Sequence, residues 1–243
     1  MLEIRGAAPG LLDDPLLLDV GGAAPNSALV WRGRFRDDDG FVWRAAAPRP
    51  EQLSTAWVPA KASAGPIAAL RSLHPVDVDV RVESPDGSAA ARTITRRLLD
   101  EGVRARRWRD DVVGTLQLPP VPTGAALLID ATAPAPAPTT GAEDEARAHH
   151  VAAGIPLAAA LLASRGVVVL VVTGGKAEPL ALARERLAAV PGVSDDVAAY
   201  AAADVPLPAG VGLRGEDRQG AIDRAEAWDT LLARLGARPR AHR

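Results

Sequence analysis

The sequence predicts a two-domain chain, an antiparallel β-sandwich followed by a parallel α/β layer. Three observations carry this. In VDVDVRVE (76–83), Val76, Val78, Val80 and Val82 fall on one face while Asp77, Asp79 and Arg81 fall on the other. That period of two marks a half-buried antiparallel strand. Glycine-ended turns, Asp37-Asp38-Asp39-Gly40 and Ser84-Pro85-Asp86-Gly87, punctuate the first half, as hairpins require. Beyond Pro119 the pattern shifts to wholly apolar runs, AALLID (125–130) and VVVLVV (167–172). Such runs suit strands buried on both faces of a parallel sheet.

The elements follow in order. PLLLDV (15–20), ALVWRGRF (28–35), FVWRAA (41–46), VDVDVRVE (76–83), ARTITRRLL (91–99) and VVGTLQL (112–118) are the expected strands. Short strands with such turns suggest a sandwich, whose core takes Trp31 and Trp43. Residues 48–75 are expected to be irregular. Pro119, Pro120 and Pro122 form the linker. GIPLAAALLASRG (154–166) is expected as a helix, with Pro156 in its first turn and Gly166 as its stop. EPLALARERLAAV (178–190) is a second helix, and VAAYAAA (197–203) suits either strand or helix. The stretch 215–236 is a terminal helix, with Ile222, Ala225, Trp228, Leu231, Leu232 and Leu235 on one stripe.

Composition narrows the function classes. The chain has 243 residues, is 48% hydrophobic and carries a net charge of −2. It is therefore expected to be globular, and a basic nucleic-acid-binding domain is not expected. There is no cysteine, which removes disulfides, thiolate metal sites and a cysteine nucleophile. No signal peptide is visible in MLEIRGAAPG, and a cytoplasmic location is the expectation. The longest apolar run, Gly166 to Val172, is too short to span a bilayer.

Few motifs carry chemistry. Gly174-Gly175-Lys176 follows an apolar strand, but Ala177 stands where a phosphate-binding loop needs Ser or Thr. It is expected to be a strand-to-helix turn. His149 and His150 are adjacent, so they do not share a helix face as a metal pair would. His74 precedes a proline and His242 lies in a polar tail. Arg96-Arg97 and RARRWR (104–109) could meet phosphate, yet Asp100, Glu101, Asp110 and Asp111 flank them. A solvated, internally paired surface is the expectation there. No G-x-S-x-G elbow occurs anywhere. Ser164 falls within the expected helix and Ser194 in a loop.

Several stretches, in order, resemble the acyl-CoA thioester hydrolase / bile acid-CoA:amino acid N-acyltransferase family. ALVWRGRFRDDDGFVWRA resembles its early hairpin, and IAALRSLHP a later segment of its first domain. TRRLLDEGVRARRWRDDVVGTLQLPP resembles the crossing into its hydrolase domain, and LLASRGVVVLVV its first hydrolase helix and following strand. AIDRAEAWDTLLARLG is similar to its terminal helix. The resemblance implies an immunoglobulin-like β-sandwich over 1–118. A truncated α/β-hydrolase-like parallel sheet over 119–243 would follow.

The departures from that family bear on activity. Family members are usually considerably longer. Where the family builds an oxyanion loop this chain has ATAPAPAPTTG, and Pro134, Pro136 and Pro138 have no N–H to donate. The residue aligned with the nucleophile is Ala203. No histidine lies between His150 and His242. The implied function is that of a catalytically degenerate family member with an acyl-CoA or acyl ligand, and no cofactor or metal. One alternative is an active thioester hydrolase using Asp217, which sits in the G-x-D-x-Q of GEDRQ (215–219). Another is a non-enzymatic protein-interaction module built on the sandwich.

Overall fold

The computed structural model describes residues 1–6, 10–61, 68–108, 113–130, 157–173, 177–193, 197–201, 204–206 and 218–240. Among the described residues the protein is mostly β-sheet, in three sheets, with few helices. It divides into two units. The first comprises Met1–Leu98, Pro208–Ala225 and Arg240–Arg243; the second comprises Leu99–Leu207 and Glu226–Pro239.

In the first unit, β1 (Glu3–Gly6) and β2 (Leu18–Gly21) form a two-stranded antiparallel sheet. The other strands are β3 (Val30–Arg36), β4 (Val42–Ala47), β5 (Val58–Pro59), β6 (Val76–Glu83) and β7 (Ala89–Arg96). They form an antiparallel sheet of order β5-β4-β3-β6-β7. Alternation decides the two faces. β6 is buried at each valine from Val76 to Val82 and exposed at Asp77, Asp79 and Arg81, as its period predicts. β3 buries Trp31, Gly33 and Phe35 and exposes Arg32, Arg34 and Arg36.

The two expected turns are built alike. The Gly40 N–H donates to the Asp37 carbonyl, and the Asp37 N–H donates to Phe41 at 3.0 Å. The Gly87 N–H donates to Ser84, and the Ser84 N–H donates to Ser88. Gly40 and Gly87 take φ of 81° and 84°, a left-handed conformation that glycine adopts without steric cost.

Trp31 and Trp43 are core residues, 3% and 0% exposed. Phe35 joins them: its ring is stacked 6.2 Å from Trp43 and edge-on 4.8 Å from Trp57. Residues 48–75, expected as irregular, include a 3-10 turn, Pro50–Thr55, and the short strand β5. Both place Leu53 and Trp57 in the interior.

The second unit contains β8 (Arg104–Trp108), β9 (Gly114–Leu118), β10 (Gly124–Asp130) and a helix, α1, over 157–164. β11 (Val167–Thr173), α2 (Ala177–Ala188) and β12 (Ala198–Ala201) follow. The last helix, α3 (Arg218–Arg234), has its first turns in the first unit. One mixed sheet runs β12-β10-β11-β9-β8. β10 is parallel to β11 and β12, while β9 is antiparallel to β11 and to β8.

The break between the units therefore falls after Leu98, not after Leu118. The stretch 112–118 was expected to close the sandwich. Its described strand, β9, instead hydrogen-bonds to β11 from Gln117↔Val169 to Gly114↔Val172.

The runs expected to be buried on both faces are so. Ala125 to Leu128 and Val167 to Leu170 are each at most 2% exposed. One face packs Leu116, Leu127, Val168 and Leu170 against Ala183 and Leu187 of α2. α1 is apolar all round and buried from Leu157 to Ala163. Gly166 ends it at φ 96°, where a Cβ would stand 2.8 Å from the Thr123 hydroxyl. Among the described residues no helix is long and apolar enough to cross a membrane.

Candidate functional site

Topology marks one place in the second unit. From β10 the chain crosses to β11 on one side, and then to β12 on the opposite side of β10. In an open sheet, strand connections that leave in opposite directions open a crevice at the carboxyl ends. Those ends are Asp130, paired with Thr173, and Ala201, paired with Ile129. The following segments, 131–156, 174–176 and 202–203, lie outside the described residues. So do Pro134, Pro136, Pro138, His149, His150, Gly174, Gly175, Lys176 and Ala203. Asp217, Ser194 and His242 also lie outside them.

Ser164 has a structural role. Its hydroxyl accepts from the Asp100 N–H and donates to the Ala160 carbonyl, both at 2.8 Å. It is 2% exposed and both of its functions are taken, so it is no nucleophile. His74 is exposed. Among the described residues no cluster of three His, Cys, Asp or Glu could hold a metal.

The arginine groups behave differently from one another. Arg96 was expected on a solvated surface but is 4% exposed. Its guanidinium donates to the carbonyls of Leu11 and Asp14. Buried carbonyls need donors, and Arg supplies several from one group. Arg104, Arg106 and Arg107 on β8 are exposed, as expected of a solvated edge; Arg109 lies outside the described residues.

A depression of about 590 Å³ lies at the amino-terminal ends of β10 and β12. Arg184, Tyr200 and Arg234 line it, and the Arg234 guanidinium is 5.8 Å from the centre of the Tyr200 ring. This is the end away from the carboxyl ends of these strands, and a cation over a ring is an ordinary packing contact.

A second depression, of about 560 Å³, lies in the first unit. Its walls include Arg32, Arg34, Arg44 and Arg81, with Asp79, Ala91 and Thr93 along one side. These belong to the face of the five-stranded sheet that points away from Trp31 and Trp43. The arginines alternate with core residues along WRGRFR and VWRAAA. The alternation was legible, but their convergence across strands was not. It depends on the β3–β4 register set by the Asp37–Gly40 turn.

Two buried or bridging carboxylates hold that turn. Asp37 is 7% exposed and accepts from the Phe41 N–H, the Trp43 Nε1–H and the Ala69 N–H. Asp39 meets Arg71 at 2.8 Å. The hydrogen bond to Asp39 holds the Arg71 guanidinium above its ordinary value, against the opposing effect of burial.

No family model matches the chain, and no curated protein matches it.

Proposed function

We propose that this chain is a catalytically silent relative of the acyl-CoA thioester hydrolase / bile acid-CoA:amino acid N-acyltransferase family. On this reading it keeps a β-sandwich and the first part of an α/β-hydrolase sheet, and it holds an acyl-CoA or acyl ligand without turning it over. One observation carries the reading: the order β12-β10-β11-β9-β8, with an antiparallel lead-in and two parallel neighbours of β10. An α/β-hydrolase sheet begins with this arrangement, its first strands ordered 1-2-4-3-5.

The departures in the sequence support the silent half of this reading. In chain order, the proline-rich sequence that follows Asp130 stands where the family has its oxyanion loop, which needs backbone N–H groups. In chain order, Ala203 follows β12 where the family has its nucleophile, and alanine has no group to attack a thioester. A thioesterase rate needs a nucleophile and a base within hydrogen-bond reach.

The test is release of free CoA from a panel of short-, medium- and long-chain acyl-CoA thioesters. The expected result is release no faster than in buffer, together with protection of the second unit by bound acyl-CoA in thermal unfolding. Turnover abolished by Asp217→Asn would overturn the silent reading in favour of an active enzyme. Absence of both turnover and thermal protection would remove the acyl ligand.

A further inference from the structure

In the first unit, Arg34 of β3 and Arg44 of β4 stand directly opposite one another in the ladder. Like charges placed so repel, and sheets usually avoid the pairing. The nearby charge of Asp79 relieves it only in part, because no carboxylate among the described residues hydrogen-bonds to either group. Arg32 and Arg81 both turn to Glu83, at 3.2 and 2.9 Å. Arg36 donates to the Gly40 carbonyl. Asp79, the neighbour of Arg34 on β6, takes the Thr93 hydroxyl at 2.8 Å, and Asp77 takes the Thr95 hydroxyl. Among the described residues neither Arg34 nor Arg44 has a carboxylate or carbonyl partner. Two guanidinium groups without such a partner among the described residues thus share the wall of one depression of about 560 Å³.

We infer that this depression binds a compact phosphate-bearing small molecule, with Arg34 and Arg44 clamping the phosphate. Guanidinium groups match phosphate oxygens in geometry as well as charge. A shared anion turns their repulsion into a common attraction. The inward-facing Gly33 and Ala45 give the depression a backbone floor, and Ala91 keeps one side low. The arginine stems add apolar walls, so an organic body of nucleotide size can rest beside the clamp. The partner is a small ligand because Asp77, Asp79 and Glu83 line β6 on the same face. A long polyanion laid across the sheet would meet all three, whereas a compact anion held between β3 and β4 meets only Asp79, at one side of the depression. The site is independent of the acyl-CoA reading and lies on a different unit.

The experiment is calorimetric titration of the whole chain with inorganic pyrophosphate and, separately, with ADP. Both are expected to bind, to compete with each other, and to weaken as salt rises. Arg34→Gln and Arg44→Gln should each weaken pyrophosphate binding by about tenfold or more. Asp79→Asn should tighten it, and Arg104→Gln on β8 should leave it unchanged. Far-UV circular dichroism and the melting temperature establish that each variant is folded. The proposal is overturned if neither probe binds at millimolar concentration, or if Arg104→Gln weakens binding as much as Arg44→Gln does. It is equally overturned if anionic vesicles or duplex DNA bind while pyrophosphate and ADP do not.

Discussion

Gly33 lies directly against the ring of Trp57: a Cβ at Gly33 would stand 2.6 Å from Cη2 of that indole. The constraint is one of space, since the ring fills the place where a side chain would project. Gly33→Ala must push Trp57 away from Phe35, which it meets edge-on. Overpacking of a filled core costs about 1–3 kcal/mol. The expected result is a lower urea midpoint with an unchanged slope, checked by Trp fluorescence. A midpoint equal to the parent's would show that Trp57 does not pack there.

Asp37 is the acceptor for three N–H groups, two of backbone and one of Trp43. Asp37→Ala orphans all three in a nearly buried setting. We expect a loss of about 2–4 kcal/mol, taking about 1–3 kcal/mol for a buried unsatisfied group and allowing for partial access to water. Asp37→Asn keeps an acceptor and should lose less. Equal losses in the two variants would refute the acceptor role, and chemical denaturation distinguishes them.

The opposed guanidinium groups of Arg34 and Arg44 carry a stability signature of their own. Arg44→Thr should raise the melting temperature, because it removes a like-charge pair and places a β-branched residue on the strand. The gain is expected at about 0.2–1 kcal/mol. It should shrink with added salt, which screens exposed charges. A lower melting temperature at low salt would contradict the unpaired arrangement.

Asp86 supplies a pH-dependent effect. Its carboxylate accepts the Ser88 N–H at 2.8 Å, and chiefly that backbone hydrogen bond holds it below its ordinary value. The folded state therefore favours the ionised form, and the contribution is present above the unfolded value. It is lost as pH falls through the lowered folded value. Asp86→Asn should be less stable than the parent at neutral pH, and the gap should close in acid. Urea midpoints measured across pH 2 to 7, a window of roughly the ordinary carboxylate range on both sides, check it. A gap that widens in acid would contradict the assignment.

Period two made the first sheet legible. β6 follows VDVDVRV residue for residue, and β3 follows WRGRFR. The glycine turns were legible because each offers one position free to take a left-handed conformation. Sheet membership was not. The strand in 112–118 looks like the strands before it, and only its pairing with β11 assigns it to the second unit. Ala198–Ala201 resisted a sequence reading because alanine suits helices and its small side chain gives little periodic signal. The parallel ladder to β10 decides it as a strand.

Arg96 was misread for a related reason. An arginine beside another arginine suggests solvent, but β7 turns Arg96 inward beneath Leu11 and Asp14. The Arg34–Arg44 opposition is a matter of register, which emerges only when the hairpin closes.

The position of β11 has a further, colloidal consequence. Its core VVVLVV has no charge, no proline and no glycine, and its residues are β-branched apart from one leucine. Such six-residue segments stack readily into intermolecular cross-β structure. Here the segment is hydrogen-bonded on both sides, to β10 and to β9, so the native sheet leaves it no free edge. Arg165 and Lys176 bracket it in the sequence as charged gatekeepers. Opening of the second unit would release this strand. Heating should therefore end in precipitation rather than in a reversible transition, and solubility will depend on how firmly β9 and β10 hold their shared neighbour.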